Sequence, residues 1–376
     1  MTAPAYTGLT WDHPRGFNAL DAAARALDPA RDGLTLSWDK HSLEGFEERP
    51  IAEICGLYDL VVIDHPHVGE AVAAGCLIPV EDLFTAEELA GWSDAAIGRS
   101  FSSYRYGGRH WALPLDAATQ VMASRRDRVE TPPATWDEVL ALSERAPVIL
   151  SVSGPHAALS FQSICVALGE APASDRETFI GEDAGARAYD LMAALTARAP
   201  EAFRTANPIA ILEHMSRHDD VALCPLVYGY VNYAPLGPVR FSDAPRGPGG
   251  IGSTLGGTGI GVSNRAEVTP ALLDHLRWLM SEAAQHGFIP DHDGQPSLRS
   301  AWRDPAVNAK WGGFYEGTFD TLEAAYVRPR HDRAIAFQTQ ASALLRDGLF
   351  TRRPAQPVIA DLNAAYRRHH APGAET

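Results

Sequence analysis

The chain has 376 residues, of which 45% are hydrophobic and 21% charged, a composition that excludes disordered and fibrous classes and is typical of a globular protein. At roughly 100–200 residues per domain, this length predicts two or three domains. The net charge is −15 and no Lys/Arg-rich stripe offsets it, so we expect no nucleic-acid partner. No run approaches the roughly 18 apolar residues that span a bilayer, so we expect no membrane insertion.

The cysteines and the N-terminus bear on the cellular compartment. Four cysteines lie far apart without metal-ligand spacing, which predicts buried free thiols and favours a reducing compartment: Cys55, Cys76, Cys165 and Cys224. Residues 1–6 have neither a basic nor an apolar signal region. The sequence therefore predicts a periplasmic protein if a signal was trimmed, and a cytoplasmic one if Met1 is the true start.

The first part of the chain alternates between strand and helix patterns. The predicted elements are a strand at 8–11, a helix at 18–27, a strand at 34–38, a helix at 43–54, a strand at 59–64 and a helix at 68–74. Three such units in succession predict a doubly wound α/β layer with right-handed crossovers.

The pattern changes after a short strand at 111–115, where we place a crossing into a second, more helical lobe. The elements predicted there are helices at 136–145, 157–168, 186–198 and 209–216, and a strand at 221–227. A Gly- and Pro-rich segment at 245–261 predicts a second crossing, and further helices are predicted at 270–284, 320–345 and 358–367.

Four passages in the same order resemble the family 1 extracellular solute-binding proteins, the maltose-binding-protein-like receptors of bacterial ABC importers. They are Tyr58–Asp64 with Ala73–Leu83, Tyr106–Pro114, Pro132–Val139, and Gly256–Ser263. In the third passage Thr135 also suits a helix N-cap, because acidic residues follow it in the first turn.

This resemblance implies a two-lobed α/β fold of the type II periplasmic-binding-protein kind, with a ligand cleft between lobes and at least two hinge crossings. We assign 1–115 and 257–300 to lobe one, and 116–256 and 301–376 to lobe two. The family also implies an ABC permease as partner, and we expect a monomer.

Two predicted parallel strands each end in Asp-His-Pro: Asp12-His13-Pro14 leads to Arg15, and Asp64-His65 precedes Pro66. Neighbouring strands lie about 4.8 Å apart, so these polar side chains converge if the strands are adjacent. The alternative is a loop leading into a helix, in which Asp12 caps and Arg15 pairs with a surface acid.

Convergent Asp and His side chains would also suit a divalent metal, as would Asp274-His275 and Asp291-His292. Hydrogen bonding to an organic ligand is the preferred interpretation, so we predict no metal and no cofactor.

Other candidate contacts come from residue type and position. Tyr228 and Tyr230 follow a strand and would face one side if the run stays extended. Arg299 suits a carboxylate or phosphate clamp, with a surface helix arginine as the alternative. The predicted ligand-binding set is Trp11, Asp12, His13, Arg15, Asp64, His65, Asp116, Tyr228, Tyr230, Gly257, Arg299 and Trp302.

The function predicted from these observations is binding of a small polar solute, such as a sugar or an organic acid, for ABC-type import, without catalysis. No nucleophile or metalloprotease motif is present. The alternative is a cytoplasmic enzyme or ligand sensor built on the same fold. Thiaminase-type enzymes suggest Cys224 as its nucleophile.

Overall fold

A computed structural model describes residues 3–42, 49–235 and 237–370, which form two compact units. Unit 1 comprises Met1–Ala117, Gly256–Lys310 and Arg330–Asp332, and unit 2 comprises Ala118–Leu255, Trp311–Pro329 and Arg333–Thr376. The chain passes between units at residues 117/118, 255/256 and 310/311, where the sequence placed the passages at 115/116, 256/257 and 300/301. The short return at 330–332 had no counterpart in the sequence analysis.

The elements up to the first crossing are β1 (Ala5–Trp11), α1 (Pro14–Arg25), α2 (Pro29–Asp32), β2 (Thr35–His41), α3 (Ile51–Leu57), β3 (Leu60–Ile63), α4 (Val68–Ala74), α5 (Ala86–Ala95), β4 (Arg105–Tyr106), β5 (Arg109–His110) and β6 (Leu113–Arg125). Those from there to the second crossing are α6 (Trp136–Ser143), α7 (His156–Ala167), α8 (Glu182–Arg198), α9 (Pro208–Arg217), β7 (Leu223–Tyr228), β8 (Val239–Ser242), β9 (Arg246–Gly247), β10 (Gly250–Ile251) and β11 (Leu255–Val262). The remainder are α10 (Pro270–Leu279), α11 (Ile289–Asp291), α12 (Arg299–Trp302), α13 (Pro305–Lys310), α14 (Phe314–Gly317), α15 (Phe319–Glu323), α16 (Ala334–Thr351) and α17 (Ala355–His370).

In unit 1 the predicted β-α alternation is confirmed. β1 pairs in parallel with both β2 and β3, and β11 pairs antiparallel with β3. All four residues of β3 are buried, as expected for an apolar strand covered on both faces. Because β11 runs against β3, the start of β11 lies at the carboxyl end of β3.

Several element boundaries differ from the sequence prediction. The single helix predicted at 320–345 is two helices, α15 and α16, and α10 ends at Leu279 instead of residue 284. Helix α1 begins at Pro14 instead of residue 18, because His13 caps it and proline is compatible with the first helical turn. Strand β6 has 13 residues, all buried, and therefore runs far beyond the short strand predicted at 111–115. Part of the helix predicted at 43–54 lies outside the described residues, and α3 is observed at Ile51–Leu57.

Unit 2 places helices around strands β7 and β8, both of which pair antiparallel with β6. The Thr135 cap predicted from sequence is confirmed as a capping box with Glu138 at the start of α6. The apolar core of unit 2 includes residues of α6, α7, α8, α16 and α17. Among the described residues, no helix combines the length and apolar character needed to cross a membrane.

A buried polar network joins three segments of unit 2. Gln120 on β6 accepts a hydrogen bond from the Ser163 hydroxyl of α7 at 2.6 Å. The same hydroxyl lies 2.7 Å from the Thr254 hydroxyl. Thr119 in turn donates to the Thr254 carbonyl at 3.1 Å. The network therefore fixes β6 and residue 254, just before β11, against one helix.

A buried ion pair joins the start of α1 to β6 within unit 1. Arg15 Nη2 lies 2.9 Å from Asp116 Oδ2, and the side chains are only 5% and 3% exposed. Burial raises the pKa of Asp116 above its usual value, and the Arg15 guanidinium opposes this rise. Two desolvated charges depend on each other, so removing either leaves the other without compensation.

We therefore expect Asp116→Ala and Arg15→Met each to lower the free energy of unfolding by about 3–5 kcal/mol. The double variant Arg15→Met/Asp116→Leu should be more stable than either single variant, because it leaves no uncompensated buried charge. Urea denaturation followed by circular dichroism measures all three.

The control is Asp12→Ala, which breaks the exposed pair with Lys40 (side chains 54% and 46% exposed). An exposed pair contributes about 0–1 kcal/mol, so this variant should be nearly neutral. Equal costs for Asp116→Ala and Asp12→Ala would contradict the importance of the buried pair.

Candidate functional site

The end of β1 is packed tightly onto the first turn of α1. A Cβ atom at Gly16 would lie 2.1 Å from Trp11 Nε1, so only glycine lets the indole pack here. Trp11 is 3% exposed. The His13 ring stacks against it at a centroid distance of 5.1 Å, and the Arg15 guanidinium lies 5.1 Å from the indole centroid. These contacts hold Arg15 where it meets Asp116.

The first Asp-His pair separates into two roles. His13 Nδ1 accepts the Arg15 backbone N–H at 3.1 Å and thereby caps α1, so the alternative in which Asp12 caps is wrong. Burial, aided by the nearby Arg15 charge, lowers the pKa of His13 to about 3, so its ring is neutral near pH 7. Asp12 instead lies at the surface, with Oδ1 2.7 Å from Lys40 Nζ.

The second Asp-His pair follows β3, which is adjacent to β1 because the two strands pair in parallel, so the condition set in the sequence analysis is met. Asp64 Oδ1 accepts the His65 backbone N–H at 2.8 Å and caps a 3-10 turn at His65–His67. The His65 ring is fully buried, with its Nδ1 3.2 Å from Asp64 Oδ1. Asp64 also lies close enough to Asp116 for its negative charge to contribute to the raised pKa of that residue.

Two buried polar atoms of unit 1 lack hydrogen-bond partners within the part of the chain that the structure describes. They are Asp116 Oδ1 and Thr258 Oγ1, on side chains that are almost completely buried. Thr258 is the residue of β11 that precedes Gly259, which pairs with Ile63 at the end of β3. Such an unsatisfied buried group costs about 1–3 kcal/mol, so both atoms are suited to receive a ligand's hydrogen bonds.

The unit 2 candidates lie at the end of β7. The strand ends at Tyr228 and a 3-10 turn follows at Val231–Tyr233, so the run does not stay extended and the condition for Tyr228 and Tyr230 to face one side is not met. The Tyr228 hydroxyl donates to the Leu255 carbonyl at 3.5 Å. Tyr230 is buried, and its ring contacts Tyr233 at a centroid distance of 6.5 Å. Alternation fails here because the chain leaves the strand after one tyrosine.

Beside Tyr228, the ring of His156 makes an edge contact at a centroid distance of 5.9 Å. Burial, with a contribution from Arg328, lowers the pKa of His156 to about 3 and keeps it neutral. His156 Nδ1 and Asn232 Oδ1 are buried, and neither has a hydrogen-bond partner among the described residues. Unit 2 therefore also has two buried polar atoms that are suited to hydrogen bonds with a polar ligand.

Three further predicted residues have structural contacts of their own. Arg299 Nη1 donates to the Asp94 carbonyl at 2.8 Å. Trp302 is 1% exposed, and its Nε1 donates to the Pro296 carbonyl at 2.7 Å. Gly257 has φ +86°, a conformation that favours glycine. Their roles as ligand contacts stay predictions.

The Asp-His pairs do not form a metal cluster. Within residues 3–42, 49–235 and 237–370, no three His, Cys, Asp or Glu side chains are grouped closely enough to hold a metal ion. Asp274 pairs with Arg277 on α10, and Asp291 pairs with Lys310. At these two positions the aspartate that precedes a histidine in the sequence pairs with a basic side chain.

The alternative function, an enzyme with a cysteine nucleophile, depends on the reactivity of Cys224. All four cysteine thiols are buried and free, as predicted. Cys224 is 0% exposed, and burial raises its pKa to about 12. A thiol with that pKa is protonated near neutral pH and is a poor nucleophile.

Sequence analysis missed Thr258, His156 and Gln295. Gln295 Nε2 donates to the Ala117 carbonyl at 2.9 Å, which fixes β6 next to Asp116. Thr258 lies within the Gly- and Pro-rich segment at 245–261, which was interpreted as a crossing between lobes, and His156 immediately precedes the helix predicted at 157–168. A hydroxyl inside the predicted crossing strand was the available signal for Thr258.

The chain is similar in sequence to known proteins. The sequence model of the bacterial extracellular solute-binding proteins matches residues 55–312. A maltotriose-binding protein of Pyrococcus abyssi is 30% identical over 87 residues, which are 23% of this chain and 18% of that protein. The chain thus matches less than a fifth of the length of this relative.

Solved structures show the fold. An ABC transporter solute-binding protein of Agrobacterium radiobacter K84 in complex with ribitol superposes with a TM-score of 0.80 at 19% identity, covering 98% of this chain and 99% of that one. Maltose-bound MalE3 of T. maritima gives a TM-score of 0.81 at 15% identity, covering 97% and 100%. The predicted two-lobed α/β fold of the periplasmic-binding-protein kind is confirmed by these likenesses. Because the family match covers more than half of its length, the chain belongs to the bacterial extracellular solute-binding proteins.

Proposed function

We propose that this protein binds a small neutral polyhydroxylated solute, a sugar or a sugar alcohol, and delivers it to an ABC-type importer outside the cytoplasm. The observation that carries the proposal is that two buried oxygens of unit 1 are unsatisfied among the described residues: Thr258 Oγ1, next to the residue that pairs with the end of β3, and Asp116 Oδ1, on β6 within reach of the Asp64 charge. A carboxylate oxygen accepts a hydroxyl proton, and a threonine hydroxyl both donates and accepts. Sugar hydroxyl groups supply both functions at once.

The charges around this edge support a neutral ligand over an organic acid. Arg15 is buried against Asp116, and Lys40 is paired with Asp12, so both cations already face carboxylates. Asp64 adds negative charge beside Asp116. An anionic ligand would meet this negative potential, whereas a polyol would meet mainly hydrogen-bonding groups.

Within unit 2, considered by itself, there are groups of the same hydrogen-bonding chemistry. Asn232 Oδ1 accepts a hydroxyl proton, and the neutral ring of His156 accepts or donates according to its tautomer. Tyr228 adds an aromatic face, which is suited to the apolar C–H surface of a sugar ring. The ligands named for the structurally similar proteins, ribitol and maltose, belong to the same chemical class.

A binding screen tests the proposal. We expect ribitol, maltose or maltotriose to raise the melting temperature in a concentration-dependent manner, because a ligand that binds only the folded state stabilises it. Citrate should give no shift, since the site presents net negative charge. Isothermal titration of the responding compound then measures its Kd. A response to citrate alone, or to no polyol or sugar of a broad panel, would refute the neutral-ligand proposal.

Variants then locate the site. Thr258→Val should weaken binding about 3- to 10-fold, since a neutral hydrogen bond contributes about 0.5–1.5 kcal/mol. The matched control is Thr196→Val on α8, whose hydroxyl is already bonded to the Met192 carbonyl at 2.8 Å. An unchanged Kd for Thr258→Val would place the ligand elsewhere.

The neutral state of His156 predicts a pH dependence of stability. The folded-state pKa of about 3 lies below the ordinary value of 6.5, so the unfolded chain binds the proton more tightly. Stability from this residue is present above pH 6.5 and is lost as pH falls toward 3. Between pH 7 and pH 5 the loss from this one residue is up to about 2 kcal/mol.

We expect the melting temperature of His156→Asn to fall less than that of the wild type between pH 7 and pH 5. The control is His218→Asn, because His218 is exposed. It should fall as the wild type does. Parallel pH profiles for His156→Asn and the wild type would show that His156 is not held neutral by its surroundings.

A further inference from the structure

Two of the four cysteines lie on segments of unit 1 that pack together. The buried face of α3 consists of Ile51, Ile54 and Cys55. Its first residue is held to α4, because the Ile51 backbone N–H donates to Glu70 Oε1 at 3.1 Å. Cys55 follows Ile51 by one helical turn, and is therefore on the side of α3 that faces its neighbour.

Cys76 is placed by the end of α4. Gly75 ends the helix with φ +59°, and the Cys76 backbone N–H donates to the Ala71 carbonyl at 3.2 Å. Cys76 Sγ lies 3.6 Å from the same carbonyl, so its side chain turns back toward the helix. Cys55 and Cys76 both belong to one apolar cluster that includes Val68 and Leu77.

The two thiols are unequal. The neighbouring Cys55 thiol lowers the pKa of Cys76, because it stabilises the Cys76 thiolate. The proximity of Cys76, together with burial, raises the pKa of Cys55. Cys76 is also the more accessible of the two, at 7% exposed against 1%. This is the asymmetry expected of an attacking and a resolving thiol.

The other two cysteines differ on each count. Cys165 and Cys224 lie in unit 2 and are 0% exposed. For both, burial is the main cause of a raised pKa, and no cysteine is among the causes. They are therefore natural controls within the same chain.

We propose that Cys55 and Cys76 are a dithiol that a small aliphatic disulfide, such as oxidised glutathione, converts into an intramolecular disulfide. The Cys76 thiolate attacks one sulfur of glutathione disulfide and expels one glutathione thiolate. Cys55 then loses its proton and displaces the second glutathione from Cys76. Two protein thiols are oxidised, one glutathione disulfide is reduced to two glutathione thiols, and the two protein protons pass to those thiols.

The disulfide would close a loop that contains part of the candidate site. Residues 55 and 76 bracket β3, the Asp64–His65 turn and α4. A disulfide restricts the unfolded chain and so raises the stability of the folded one. This inference does not depend on the identity of the solute.

The test incubates the full-length protein with oxidised glutathione and counts thiols in denaturant with Ellman's reagent. The count should fall from four to two. Cleavage after glutamate then separates the partners, because Glu53, Glu70 and Glu81 bound the peptides 54–70 and 71–81. Mass spectrometry without reductant should find these peptides joined, and the oxidised protein should melt at a higher temperature than the reduced one.

Control variants decide the assignment. Cys165→Ser and Cys224→Ser should still give the joined peptides, whereas Cys55→Ser and Cys76→Ser should not. The wild-type result stands even where a variant fails to fold. Four thiols remaining after incubation, glutathione attached without a joined peptide, or a bond that involves Cys165 or Cys224 would overturn the proposal.

Discussion

The buried pair of Arg15 and Asp116 is the interaction on which the arrangement of unit 1 depends. The partners are 101 residues apart in sequence, yet their charged atoms meet at 2.9 Å with almost no solvent access. Neither charge tolerates this burial alone, so the first turn of α1 and the start of β6 must come together for either segment to be stable. Gly16 makes this possible, because it leaves room for the indole that Arg15 covers.

The same pair links stability to recognition. Arg15 engages only one carboxylate oxygen of Asp116, and Oδ1 has no hydrogen-bond partner among the described residues. A side chain held this firmly loses little conformational entropy when a ligand arrives, so its contribution to binding is not offset by ordering. Unit 2 is also ordered next to Tyr228. The Gly229 backbone N–H donates to the carbonyl of Thr119, whose side chain belongs to the buried polar network.

The features that were predicted correctly from the sequence are those that local residue patterns encode. The β-α alternation and the Thr135 N-cap are local patterns, and the structure confirms them. Adjacency of the strands that end in Asp-His-Pro was only a condition in the sequence analysis, and β1 and β3 meet it. The sequence did not predict β6 at its full length, because a strand buried on all sides has no polar alternation to mark it. Thr258 and Gln295 were missed for a related reason, because Thr258 matters through its place beside the end of β3 and Gln295 through its hydrogen bond to Ala117, and both neighbours are far away in sequence. The common facing of Tyr228 and Tyr230 depended on an extended run, and the strand ends at Tyr228.

The two Asp-His-Pro tripeptides show why a motif alone does not define a site. Both follow parallel strands of one sheet, but β1 has β2 beside it, and Lys40 of β2 draws Asp12 outward. Asp64 follows β3, which lies between β1 and β11. It caps its own helical turn, and its charge reaches Asp116. The same tripeptide thus makes different contacts after the two strands, so the binding proposal rests on the unsatisfied oxygens of Asp116 and Thr258 and not on the tripeptides.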